Sequence, residues 1–344
     1  MKLFNKHNLT LVFIVLWQVS FSQTALEYMN KISVEFKKIS EESWDYVSAV
    51  AHGKSARKIE NQRRDMLNAN RAALGRIKNT PPFKGDASYR DSVVRFLEIN
   101  YNVLNKDFAK IIDMEEIAEQ SYDAMEAYMT AQEQANDKLD AAGDVAENAQ
   151  RIFAAKNNIT LQDNTSKTNT KLGKASEVFK YYNKVFLIFY KPFKQEVYLL
   201  DAQRKNDVNE MKQNQDALLS LAKDAKEKIK TIEPYNKANN SLKTSSSGLF
   251  DFYIMEAESK MPTIIEFYLK KEKFDKLKTT IESKGKKASK EEIDEYNKIV
   301  NEYNKASAEY NKTTQELNNK RNTLLDSWNN SVSKFLDRNI SKKQ

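Results

Sequence analysis

The scarcity of chain breakers is what most limits this sequence: seven glycines and five prolines serve 344 residues. A strand-rich fold needs a turn every few residues, and a parallel α/β fold needs glycine where strands meet helices. Long stretches with apolar residues three and four apart, rich in Lys, Glu, Ala and Asn, leave long helices instead. The expected fold class is all-α: two tandem up-down four-helix bundles with long antiparallel helices, after an N-terminal signal peptide.

Residues 1–22 carry that signal. Lys2 and Lys6 make the positive start, Leu9 to Trp17 the apolar stretch, and Ser20-Phe21-Ser22 the small-residue cleavage site before Gln23. The apolar stretch falls short of the roughly 20 residues that span a bilayer. The richest later segment, Val185 to Tyr190, stops at Lys191-Pro192, so no transmembrane span is expected in the mature chain. The mature protein is expected in the periplasm, at the cell surface or outside the cell. The chain has no cysteine, which excludes disulfides, thiolate nucleophiles, cysteine-held metals and a lipid anchor at the cleavage site. The net charge of +8 falls by two when the signal leaves. That basicity serves solubility first and favours anionic surfaces second. No nucleic-acid-binding signature accompanies it.

Four helical segments are expected in the first half. The first, from about Ala25 to Ala51, carries Met29, Ile32, Phe36, Ile39, Tyr46 and Val50 on one face. The second carries Ile59, Met66, Ala73 and Ile77, and Thr80-Pro81-Pro82 stops it. The third runs from near Asp86 to Ile111. The fourth runs from about Asp113 to Ala155, with a kink or break at Ala141-Ala142-Gly143. The second half repeats this order. At an offset of 152, Ile59 falls on Met211, Met66 on Leu218, Ala73 on Ala225, Ile77 on Ile229, Pro82 on Pro234 and Phe83 on Tyr235. Two bundles, 23–155 and 172–344, joined by a polar linker at 156–171, follow from that repeat. In the last helix Glu-Tyr-Asn-Lys recurs at seven-residue steps, placing Tyr296, Tyr303 and Tyr310 in line with Leu317 and Leu324. A step of seven is the signature of a seam against a partner helix.

Catalytic chemistry is hard to find. The mature chain has one histidine, His52, at a helix end with no nucleophile elbow beside it. The Glu-x-x-His pattern of di-iron bundles and the His-Glu-x-x-His metalloprotease pattern are absent from the sequence, and no cofactor or metal is expected. Asp113, Glu115, Glu116 and Glu119 cluster where acids suit a helix start. Two features are candidates for binding. One is the rigid loop Pro81, Pro82, Phe83, Lys84 and Asp86 with Tyr89 and Arg90, which could dock a partner or simply form an inter-helix corner. The other is a run of nine lysines from Lys270 to Lys290. In it Lys270, Lys271, Lys273, Lys284, Lys286 and Lys287 form a candidate patch for an anionic partner, with a solvated helix face as the plainer reading.

The run Pro81-Pro82-Phe83-Lys84-Gly85-Asp86 with Tyr89-Arg90-Asp91, then Leu97 to Leu104, then Ile117 to Tyr128, resembles a family of uncharacterised exported helical surface or envelope proteins of Bacteroidetes-type bacteria and spirochaetes. The signal ending Ser20-Phe21-Ser22-Gln23 is similar to those of exported proteins in the former group. The resemblance implies export and a helical fold, and it carries no catalytic residues with it. The expected function is that of a non-catalytic binding or scaffolding protein of the bacterial envelope, facing an envelope protein or an anionic glycan or lipid surface. A carrier of a small ligand inside a bundle is the alternative, and a carboxylate-dependent hydrolase a more distant one.

Overall fold

A computed structural model describes residues 20–162, 167–236 and 239–342. Most of the expected signal peptide, residues 1–19, lies outside the described residues, and Ser20-Phe21-Ser22 open the first helix. Among the described residues every regular element is helical: α1 (Ser20–Ala51), α2 (Ala56–Lys78), α3 (Ser88–Asn102), α4 (Phe108–Ala118), α5 (Tyr122–Lys156), α6 (Lys167–Lys205), α7 (Val208–Lys230), α8 (Ser241–Met255), α9 (Met261–Lys284) and α10 (Lys290–Asn339). The fold class is all-α. No described helix is long and apolar enough to cross a membrane. Two five-residue π-turns, Val103–Asp107 and Glu256–Lys260, join α3 to α4 and α8 to α9 without ending the helix.

The fourth helix departs from expectation. It breaks at Glu119–Ser121, between α4 and α5, while Gly143 lies buried inside an unbroken α5. The reason is local. Ser121 adopts an extended backbone (φ −151°, ψ 164°) and its hydroxyl accepts from the Ala124 amide at 3.0 Å, a cap that starts a new helix. A glycine within a helix costs only about 1 kcal/mol against alanine and need not break it. α6 likewise continues through Pro192.

The chain forms two compact units, residues 1–183 with 333–344, and residues 184–332. The expected linker at 156–171 does not coincide with that division, which falls inside α6. A helix of 39 residues is about 58 Å long at 1.5 Å per residue. Its first half buries Leu172, Val178 and Phe179, and its second half Val185, Phe189 and Leu199, so one helix serves two cores.

In the first unit α1 packs on α2, α2 on α3, and both α3 and α4 on α5. Met29, Ile32 and Phe36 of α1, Ala73 and Ile77 of α2, Val93 and Leu97 of α3, and Phe153 of α5 form its core. Each large side chain so enclosed contributes about 1.5–3 kcal/mol. In the second unit α7 packs on α8 and α9. There Phe267 of α9 stacks on Tyr310 of α10 at 4.2 Å and Phe274 on Tyr303 at 4.6 Å. Phe274 also meets Tyr296, and Phe267 meets Tyr303. The tyrosine line of α10 thus interleaves with a phenylalanine line of the same seven-residue step on α9.

The two runs of elements match closely. α2 and α7 are both 23 residues, α3 and α8 both 15, and both π-turns five. Buried residues pair across them: Met66 with Leu218, Leu97 with Phe250, Leu104 with Ala257, and Phe108 with Met261. α1 matches α6 as well, through Ile32 with Val185 and Phe36 with Phe189. Even the π-turns are held alike. Such a turn frees a carbonyl from the helical ladder. Arg63 Nη1 of α2 donates to the Leu104 carbonyl at 3.1 Å, and Gln215 Nε2 of α7 donates to the Ala257 carbonyl at 2.7 Å.

Candidate functional site

The Pro-Pro-Phe loop folds as a corner. Phe83 and Asp86 exchange backbone hydrogen bonds at 3.1 and 2.9 Å around Lys84 (φ 49°) and Gly85 (φ 86°). Two successive positive φ values define a type I′ turn, for which glycine at the second position is the ready solution. Phe83 is buried between Tyr28 and Phe153 at 5.4 Å from each, and Tyr89 packs on Phe153 at 5.2 Å. Arg90 Nη1 donates to the Thr80 carbonyl at 2.9 Å, while its Nε donates to Asp91. Asp86 accepts the Ser88 amide at 2.9 Å and pairs with Lys156 at 3.2 Å. Hydrogen bonds from Ser88, hydroxyl and amide, and then the Lys156 ammonium lower its pKa to about 2. Pro81, Pro82, Lys84 and Gly85 remain exposed.

Three of these ties have a counterpart in the second run. Tyr235 and Asn239 close the equivalent turn, Asn239 accepts the Ser241 amide at 3.2 Å, and Lys243 donates to the Ile232 carbonyl. A corner built the same way twice is a device of the frame. The features that the runs do not share therefore hold the stronger claim to function.

The first such feature is the added length of a helical hairpin. α4 has 11 residues, whereas α9, at the same place in the second run, has 24. The additional turns run antiparallel to the start of α10, held by the Phe274 rings, and most outward residues from Glu272 to Lys298 are exposed. The candidate lysines lie here. Lys270 pairs with Glu266 and Lys271 with Asp275, each at 2.7 Å, and Lys284 pairs with Glu292. Lys273, Lys286 and Lys287 are exposed. At about 100° per residue the lysines of α9 point all around its axis, so they form a charge-laced rod with a basic tip rather than one basic face. Gly285 makes the tip with φ 51° and ψ −125°.

The second unshared feature is a buried charged cluster that sequence reasoning missed. Arg321 of α10 donates from Nε to Glu196 of α6 at 2.5 Å and from Nη2 to Glu256 of the second π-turn at 2.6 Å. Its Nη1 donates to Asn318, and the guanidinium lies 5.6 Å from the centre of the Phe252 ring. The side chains of Arg321, Glu196 and Glu256 are 9%, 2% and 1% exposed. Burial first, and then the neighbouring Glu196 charge, holds the Glu256 carboxyl well above the usual carboxylate range. Burial likewise pushes up the Tyr253 hydroxyl, which faces the same three groups. The first run fills the positions matching Glu196, Glu256 and Tyr253 with uncharged residues, Ser43, Val103 and Asn100, all buried. Its own polar contact there is neutral: Asn100 Nδ2 donates to Asn70 Oδ1 at 2.9 Å.

His52 Nδ1 lies 2.7 Å from Asp337, tying the end of α1 to the end of α10. The side chains of Asp113, Glu115 and Glu116 lie outside the described residues, and Glu119 is exposed. Among the described residues no group of three or more His, Asp or Glu side chains is placed to hold a metal ion. Comparison of the chain with protein-family models, curated proteins and solved structures gave no match.

Proposed function

We propose that this chain is an exported, non-catalytic binding or scaffolding protein of the bacterial envelope, and that the α9–α10 hairpin is the element it presents to a partner. The observation that carries this reading is the hairpin's added length: its counterpart in the first run, α4 with α5, is shorter by the difference between 11 and 24 residues. Corner, π-turns and core recur in both runs, as parts of a frame do; the additional turns of α9 are not needed to close a bundle. Stacked rings keep the hairpin straight, and its outer surface is left to charged side chains that other molecules can meet. Lys286 and Lys287 at the tip suit an acidic protein surface or an anionic glycan or lipid. Export rests on the sequence signal at residues 1–22.

The test is affinity capture from native cell envelope with the tagged chain, washed at low and at high salt, beside a variant whose residues 272–298 are replaced by a short turn. Retention of a stoichiometric partner that needs the hairpin and survives high salt supports an adaptor. Hairpin-dependent retention lost at high salt supports an anionic glycan or lipid. Equal retention without the hairpin, or none with it, refutes the proposal. Mass measurement of the envelope-associated chain tests export: it should begin at Gln23, and an uncleaved Met1 would count against the signal.

A further inference from the structure

We propose that the Glu196–Arg321–Glu256 cluster is a proton-locked clasp: the second unit closes with one proton bound between the two carboxylates, and loss of that proton opens the unit locally at its π-turn. The argument begins with a count of charges. Two carboxylates face one guanidinium, and all three side chains are at most 9% exposed. A buried charge without a partner costs several kcal/mol even after the protein relaxes. One proton makes the cluster neutral. Its place is set by geometry: Glu256 Oε1 receives Arg321, while Oε2 is buried and receives no donor among the described residues. A bare oxygen beside a second carboxylate is where a proton is held most strongly.

Among the described residues, the other groups around Glu256 offer no substitute cation. From α8 come Tyr253 and the ring of Phe252, from α6 Glu196, and from α10 Arg321 with Asn318. α7 contributes Gln215, which is committed to the Ala257 carbonyl. The nearby pairs Lys223–Glu258 and Lys260–Glu316 are closed on themselves at 2.6 and 3.0 Å at the exposed rim.

The fold does not require these acids. Ser43 and Val103 occupy the matching positions of the first run and are just as buried, and Val103 opens a π-turn of the same length as that of Glu256. Glu256 also opens the π-turn, a stretch already out of the helical ladder and therefore the least costly place for the helix to part. Deprotonation puts two negative charges against one positive charge there, and α10, which carries Arg321, is the element released.

The sign follows from linkage. The closed unit holds a proton that the open chain gives up near the ordinary glutamate value of 4.5. Stability is therefore full below that value and falls as pH rises through the neutral and alkaline range, the opening constant growing by up to about tenfold per pH unit.

The experiment uses the full chain labelled with carbon-13 at the glutamate carboxyl, followed by NMR or infrared spectroscopy, with hydrogen exchange of residues 256–260 in parallel. The wild type should show one protonated glutamate carboxyl at neutral pH. Glu256→Gln, which leaves one carboxylate on one guanidinium, should abolish that signal and flatten the pH dependence of exchange. Glu196→Gln balances the charge from the other side and should do the same, so the idea does not depend on one variant folding. No protonated carboxyl in the wild type, its survival in both variants, or equal pH slopes in all three proteins would overturn the proposal.

Discussion

The side-chain hydrogen bond to the second π-turn can be removed by Gln215→Met, which keeps length and helix propensity but takes away the donor. Gln215 Nε2 lies 2.7 Å from the Ala257 carbonyl, and Ala257 is fully buried. The substitution leaves that carbonyl without its donor in a place water reaches poorly, a loss of about 1–3 kcal/mol. A unit of roughly 150 residues loses about 3 °C of melting temperature per kcal/mol, so the expected shift is about 3–9 °C. The assay is thermal unfolding of the full chain by circular dichroism, with Gln213→Met as the reference. Gln213 is exposed on the same helix, and that change should stay within about 0.5 kcal/mol. A Gln215→Met protein that melts with the wild type, or with the Gln213 variant, would refute the view that the neighbouring helix stabilises the π-turn.

Phe83→Ala should destabilise the first unit by about 3–5 kcal/mol, because Phe83 fills the space between Tyr28 and Phe153; an unchanged urea midpoint would return it to the role of an exposed docking residue. Gly285→Ala should cost about 1–3 kcal/mol purely through backbone strain at φ 51° and ψ −125°, since an added Cβ would touch nothing. Faster hydrogen exchange confined to the hairpin tip is the readout, and unchanged exchange there would count against it. Asp86, lowered from 3.8 to about 2 by Ser88 and Lys156, contributes stability that is present above its ordinary value and lost as pH falls towards about 2. Asp86→Asn should therefore remove part of the wild type's acid sensitivity in that window, and identical acid-unfolding curves would contradict this.

Much of the frame was legible because it depends on local signals. Spaced apolar residues gave α2 and α7, and the Pro-aromatic step gave their shared corner. The seven-residue tyrosine step gave a seam whose partner proved to be Phe267 and Phe274. The π-turns were not legible: a widened helical turn needs no special residue, and Leu104 and Ala257 read as ordinary core positions. The cap at Ser121 was hidden by helix-forming residues on both sides. The division inside α6 leaves no mark on the sequence, because α6 keeps one pattern along its whole length. As for the candidate sites, Phe83, Tyr89 and Arg90 stand out in the sequence, and in the structure they build the corner. The lysine run is real, but its charges surround the rod. The buried cluster left one sign that was overlooked. Arg321 interrupts the line of Leu317, Leu324 and Trp328, and Glu196 falls on the stripe of Phe189 and Leu199. A charge on an apolar stripe marks either a poor helix or a buried partner.

The match between the two runs also shows where a residue can be gained or lost. Ile32 and Val185 lie 153 positions apart, Met66 and Leu218 lie 152, and Leu97 and Phe250 lie 153 again. The later run is therefore one residue shorter than the earlier one between its first and second helices, and one residue longer between its second and third. Both differences fall in corners, where Gly53 and Asn206, and Lys84 and Asn236, already carry positive φ. The matched cores contain none, since a single extra residue inside a helix turns everything beyond it by about 100° and would swing Leu97 or Phe250 from core to solvent. Lineages of this chain should accordingly vary in length at the corners and at the hairpin tip, while the matched stretches of helix tolerate substitution but not a change of count.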